Sequence, residues 1–144
     1  MQTFLPFNSF TRSARCLDNK RLGKQRVEVL QILNALETPG AGWSNHPAAK
    51  MWNGYRPSLA HYGLIICKVW RDERGFKDTC FEKIHAHYPT FSVADIQTAE
   101  KPFWFGNEEF HRAHRSNLLR KDPEYYGEWF EPDLPNDLEY VWPV

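Results

Sequence analysis

The segment "LDNKRLGKQRVEVLQIL", Leu17 to Leu33, carries the residues best suited to chemistry. Its first half is polar and basic: Asp18, Asn19, Lys20, Arg21, Lys24, Gln25 and Arg26. A single acid, Glu28, then stands where the apolar half begins. Helical spacing lines up Lys20, Lys24, Glu28 and Gln31 on one stripe, with Arg21 and Gln25 beside it. Positive neighbours favour an ionised carboxylate, so Glu28 reads as a charged partner rather than a neutral proton donor. An acid on a phosphate-facing surface repels the ligand. Its chemical use there is to stabilise a cation, such as a sugar oxocarbenium or an iminium. The competing reading is a surface ion pair with Lys24, worth only tenths of a kcal/mol.

A second constellation lies in "FHRAHRSNLLRKDPEYYG". On a helix, His111, His114 and Arg115 share one side, while Arg112, Ser116 and Arg120 share another. Such a face can clamp a phosphate backbone through its arginines and Lys121, with Asn117 and Ser116 adding neutral hydrogen bonds. Tyr125 and Tyr126 follow, and aromatic rings of this kind stack on an unpaired or extruded base. The same residues would equally suit a surface helix whose tyrosines anchor the C-terminal tail. His46, at a helix start in "SNHPAAKMW", could bind an anion with Asn45 or simply cap the helix.

Metal chemistry is the main rival. His85-x-His87 and His111-x-x-His114 offer imidazoles, but their spacing matches no closed ligand signature. Neither a metal nor another cofactor is expected. Cys16, Cys67 and Cys80 are widely spaced, with no CxxC pair, and read as buried free thiols.

The elements that would position these groups are helical. Asp18 can cap a helix running to Leu36, with Leu22, Val29, Leu33 and Leu36 at helical spacing, ended by "ETPGAG". His46-Pro47 opens a short helix to Tyr55. Pro57 opens another, with Leu59, Tyr62, Ile66 and Trp70 as its apolar stripe and Gly75 as its stop. Short helical pieces and loops are expected from Asp78 to Gly106, with "PFWFG" as core or a loop plug. Asn107 then caps a last helix that ends at Arg120, Lys121 and Asp122-Pro123. The expected class is all-α: one domain over 1–144 with about three main helices and an extended tail over 122–144.

Bulk properties agree with a nucleic-acid partner. The formal net charge is zero, yet seven acids and no Lys or Arg lie from Asp122 onward, so residues 1–121 carry +7. Local basic patches, rather than overall charge, make phosphate contacts. With 42% hydrophobic residues and no apolar run near the ~20 residues of a membrane span, a cytoplasmic, nucleoid-associated protein is expected.

Three segments resemble the pyrimidine-dimer DNA glycosylases of the endonuclease V type. In "RLGKQRVEVL" the spacing of Leu22 and Glu28 is similar to the helix carrying that family's catalytic glutamate. The stretch from His46 to Thr79, ending "WRDERGFKDT", resembles its long middle helix and Arg-Gly-Phe exit. Tyr125-Tyr126-Gly127 is similar to an aromatic triplet implicated in substrate binding. "LDNKRLGKQRVE", "NHPAAKMW" and "HRSNLLRKDPEYYG" look closer still to a bacterial branch grouped with the family.

The resemblance implies a combined glycosylase and AP lyase acting as a monomer on double-stranded DNA with a damaged or modified base. In the family an N-terminal α-amine attacks the sugar C1′ to form a Schiff base. The glutamate stabilises the cation and moves protons. α-Amines suit this because they ordinarily titrate near ~7.7–8.0. Glu28 takes the glutamate's role, and Arg21, Lys24, Gln25 and Arg26 would face the DNA.

Two positions depart from the pattern. Where the family has a small second residue and loses its initiator Met, this chain has Gln2, so the amine of Met1 itself would serve. Alternatively Glu28 activates water, or the fold is a binding module without chemistry. Val27 stands where the family has an arginine, with Arg26 adjacent.

Overall fold

Asp18 starts the longest helix as its sequence predicts, accepting a hydrogen bond from the Arg21 N–H at 3.4 Å. The computed structural model describes residues 1–38, 40 and 42–143. Pro39 and Ala41, within the "ETPGAG" stop signal, lie outside the described residues. The helices are α1 (Phe10–Cys16), α2 (Asn19–Glu37), α3 (Pro47–Lys50), α4 (Arg56–Lys68), α5 (Cys80–His85), α6 (Val93–Gln97), α7 (Glu108–Lys121) and α8 (Pro123–Tyr126). A 3₁₀ turn over Gly42–Asn45 precedes α3, and a π-helical turn over Val69–Glu73 continues α4. No strand occurs among the described residues, and the class is all-α.

The three long helices are α2 and α4, which the apolar periodicity marks, and α7, which its end signals mark. Leu22, Val29, Ile32 and Leu33 of α2 are fully buried, as are Leu59, Tyr62 and Ile66 of α4. The two helices meet at Gly63, where an added Cβ would lie 2.6 Å from Val29 Cγ1. Trp70 departs from its predicted core role, lying half-buried beneath the Arg26 guanidinium and stacked on Phe76. The helix expected through Tyr55 stops at Lys50 and continues as turns. Gly75 adopts φ +76°, the left-handed geometry its stop role requires. In "PFWFG", Trp104 is core while Phe103 is exposed. The three thiols are free and buried.

Sequence periodicity gives no hint of how the first seven residues lie. Residues 2–7 belong to no regular element, yet Leu5 is fully buried. Backbone groups in such a place need partners, and side chains from four helices supply them. Gln25 Oε1 accepts from the Phe4 N–H at 2.9 Å, and the Tyr62 hydroxyl donates to the Phe4 carbonyl at 2.7 Å. His114 Nδ1 accepts from the Leu5 N–H at 3.0 Å, while His111 Nδ1 lies 2.7 Å from the Leu5 carbonyl. Arg115 donates to the Pro6 carbonyl at 2.9 Å, and Ser13 Oγ satisfies both backbone groups of Phe7 at 3.1 Å.

These bonds fix opposite tautomers. His114 must keep Nδ1 bare to accept, whereas His111 accepts from the Gly106 N–H through Nε2 and so donates through Nδ1. Burial pushes His114 from its ordinary 6.5 down to about 3 and lowers His111 as well. The unfolded chain therefore binds protons that the folded chain refuses. Stability is present above pH ~6.5 and is lost as pH falls towards ~3. Thermal melts of the wild type between pH 7.5 and 4 should show this decline. His114→Gln, whose Oε1 can still accept from Leu5, should flatten it.

Candidate active site

Gln25 sits on the inward edge of α2, one helical turn before Glu28, and it organises the site. Its Nε2 donates to the Gln2 carbonyl at 2.7 Å and to Glu28 Oε2 at 2.8 Å. Its Oε1 accepts from the Phe4 N–H and lies 2.7 Å from the Tyr62 hydroxyl, whose single proton it shares with the Phe4 carbonyl. Both amide donors are used, and the carbonyl oxygen is engaged from two sides. One amide thus ties the N-terminal segment to the helix that bears the acid.

Glu28 is 7% exposed and lines a cavity of about 450 Å³. Met1, Gln2 and Phe4 form one wall, and Lys20, Arg21 and Lys24 rise from α2 as another. Lys121 comes from the end of α7, His46 from the start of α3, and Tyr140 and Trp142 from the tail. Lys24 Nζ lies 3.8 Å from Glu28 Oε1. Met1 lines the same cavity, and the charge of the amino terminus, with that of Lys24, pulls the Glu28 pKa down.

Basic neighbours alone would hold Glu28 firmly ionised. Burial works against them and is the larger influence, so the Glu28 pKa is raised, with the amino terminus, Lys24, the Gln2 backbone and Gln25 pulling the other way. The acid is shifted towards exchanging protons. At the rim, Lys121 is lowered by burial and then by Arg21, Arg120 and Lys24. Converging like charges of this kind are relieved by a bound anion.

Of the residues singled out by sequence, Met1, Arg21, Lys24, Gln25, Glu28, His46 and Lys121 share the cavity. The rest do not. Arg26 pairs with Asp78 at 2.6 Å, away from the cavity. Asn45 lines a separate depression beside Lys50 and Asn53. Arg112 is partly exposed outside the cavity lining.

The phosphate clamp expected on α7 is instead an internal brace. His111, His114, Arg115 and Asn117 are buried. The Arg115 guanidinium is held by Glu108 and Glu131 as well as by Pro6, which leaves little of it for a phosphate. Asn117 donates to the Leu138 carbonyl at 3.0 Å, and Arg120 donates to Asn136 at 2.9 Å and to Asn117. Tyr126 is fully buried with its hydroxyl donating to Asp18, so it is no base platform. Tyr125 packs edge-on against it. The proposed metal histidines are likewise engaged: His85 with the Phe91 carbonyl at 2.7 Å and His87 with Glu37 at 2.6 Å. No group of three or more His, Cys, Asp or Glu able to hold a metal ion occurs among the described residues.

Sequence reasoning missed Lys20, Gln2, Phe4, Tyr140 and Trp142 as cavity residues. Lys20 was legible from its stripe with Lys24 and Glu28. The others depend on non-local folding of the two termini.

Residues 1–83 match the family model of the pyrimidine dimer DNA glycosylases, a span that holds both Met1 and Glu28. The chain belongs to that family, whose activity is DNA glycosylase chemistry and whose substrate is DNA. Searches of curated proteins and of solved structures return no match. No described helix is long and apolar enough to cross a membrane.

Because folding raises the Glu28 pKa, the ionised acid is a burden on the folded state above that pKa and none below its ordinary value of 4.5. Glu28→Gln should melt at a higher temperature than wild type at pH 7.5. The gap should close as pH approaches 4, which paired thermal melts would detect.

Proposed function

We propose that this chain excises a damaged or modified, pyrimidine-dimer-like base from double-stranded DNA, with Met1 as nucleophile and Glu28 as the acid–base group. The observation that supports the reading is the shared cavity: Met1 and the buried Glu28 carboxylate line it together, beside Lys20, Arg21, Lys24 and Lys121. The neutral amine supplies its lone pair to C1′, and the base leaves with the electrons of the C1′–base bond. The nitrogen gives up one proton, which balances the one the departing base takes up; a second proton, delivered by solvent through Glu28, goes to O4′ as the C1′–O4′ bond opens, and the resulting iminium is stabilised electrostatically by the Glu28 carboxylate. Glu28 then removes a C2′ proton, and the freed pair expels the 3′ phosphate, breaking the strand.

Gln25 acts as a positioning residue, since one amide sets the separation of amine and acid. Lys20, Arg21, Lys24 and Lys121 hold the phosphates on either side of the target. The reading needs no cofactor and one copy of the chain, in the compartment that holds the DNA.

Borohydride trapping on abasic and dimer-containing duplexes tests it, with mass spectrometry locating the adduct and the mature N-terminus. Wild type should yield an adduct on the Met1 nitrogen. Glu28→Gln should bind DNA normally but lose base release by at least ~10²-fold. Normal excision by that variant would overturn the assignment of Glu28. An adduct on Lys24 would move the nucleophile there. Base release without any adduct would point to water activated by Glu28, and binding with neither to a module without chemistry.

A further inference from the structure

Tyr126 is too deeply buried to touch a ligand, yet its hydroxyl reaches the helix that lines the cavity. Its ring is fully enclosed and stacks on Phe130 at 5.5 Å. The hydroxyl accepts from the Asp18 N–H at 3.1 Å and donates to Asp18 Oδ1. That same oxygen accepts from Arg21 Nη1 at 3.1 Å, while Oδ2 caps α2 at the Arg21 N–H. A relay of three side chains therefore runs from α8, through the start of α2, to the cavity lining. There Arg21 stands with Lys20, Lys24 and Lys121.

Arg21 differs from its cationic neighbour Lys24 in being held. Its side chain is 21% exposed, against 71% for Lys24. Among the described residues Asp18 is the one group that bonds its guanidinium, so most of the fork's donors stay open. A planar fork whose direction is already set grips a phosphate through two parallel bonds, and loses less freedom in doing so than a loose lysine. Asp18 alone would repel that phosphate. Burial works to raise its pKa, yet the Tyr126 hydroxyl and Arg21 hold it below its ordinary value. The acid is thus ionised, and its charge is taken up by these donors rather than presented to the cavity.

We infer that Tyr126 and Asp18 are positioning residues, which preset the Arg21 guanidinium as a fork for one DNA phosphate at the cavity. Neither is assigned a contact with DNA. Without the hydroxyl, Asp18 loses the donor that shares its charge and the partner that fixes its rotamer, and the fork loses its direction. The inference rests on the reading of this cavity as the DNA site. It concerns how the backbone is gripped, not the covalent steps, so it can be measured without turnover.

The test is a double-mutant cycle on the full chain, read by fluorescence anisotropy with a duplex carrying a tetrahydrofuran abasic analogue, which offers phosphates but cannot react. Tyr126→Phe keeps the stack on Phe130 and removes only the hydroxyl. It should weaken binding about 5-fold or more when Arg21 is present, and less than about 2-fold in an Arg21→Ala background. Asp18→Asn keeps the helix cap and an acceptor for the hydroxyl but discards the charge that holds the fork. Deleting an acid beside DNA ordinarily tightens binding. Here it should weaken binding by a similar factor, again only when Arg21 is present. If Tyr126→Phe does not fold, the Asp18→Asn cycle decides alone. No loss in Tyr126→Phe, or equal losses with and without Arg21, would overturn the relay, as would tighter binding by Asp18→Asn. Failure of the catalytic reading is separately visible, as absence of a borohydride adduct on abasic DNA while the coupling to Arg21 persists.

Discussion

Everything in this molecule depends on the hydrogen bonding of an irregular N-terminal segment inside a helical core. Residues 2–7 have no helix or sheet to satisfy their backbone, so Gln25, Tyr62, His111, His114, Arg115 and Ser13 do it one bond at a time. The need explains why α7 buries so many polar side chains. It also fixes the amino terminus in space, which a free chain end would not achieve without a large loss of conformational entropy at each encounter with substrate.

Glu28 shows how burial and charge compete at a site. Lys24 and the amino terminus pull its pKa down, and desolvation pushes it up by more. A fully solvated acid beside the same cations would be an inert counter-ion. A fully enclosed one would be a poor partner for a cation. The partial enclosure, with Gln25 and the Gln2 backbone on one side and the cavity on the other, leaves it able both to hold positive charge and to exchange a proton.

Local sequence carried much of the fold. The α2 cap at Asp18, the Asn107 cap of α7 and the Gly75 stop each rest on interactions within a few residues, and each is where the residue types place it. The stripe Lys20, Lys24, Glu28 was legible for the same reason. The function of α7 was not. Arg115 and His114 have the composition of a phosphate clamp, and only the three-dimensional fold shows that their partners are Pro6 and Leu5, 109 positions away. Tyr140 and Trp142 were likewise invisible as site residues, because an irregular acidic tail has no periodicity to announce its destination.

The pairing of Leu5 with His111 and His114 also orders events during synthesis. Leu5 finds these two partners only once α7, more than a hundred residues further along, has been made. Contacts of such long sequence separation form late, after nearer helices have already condensed. The buried course of residues 2–7 is therefore completed at the close of folding, and a chain cut short before α7 lacks the groups that hold Leu5 in place.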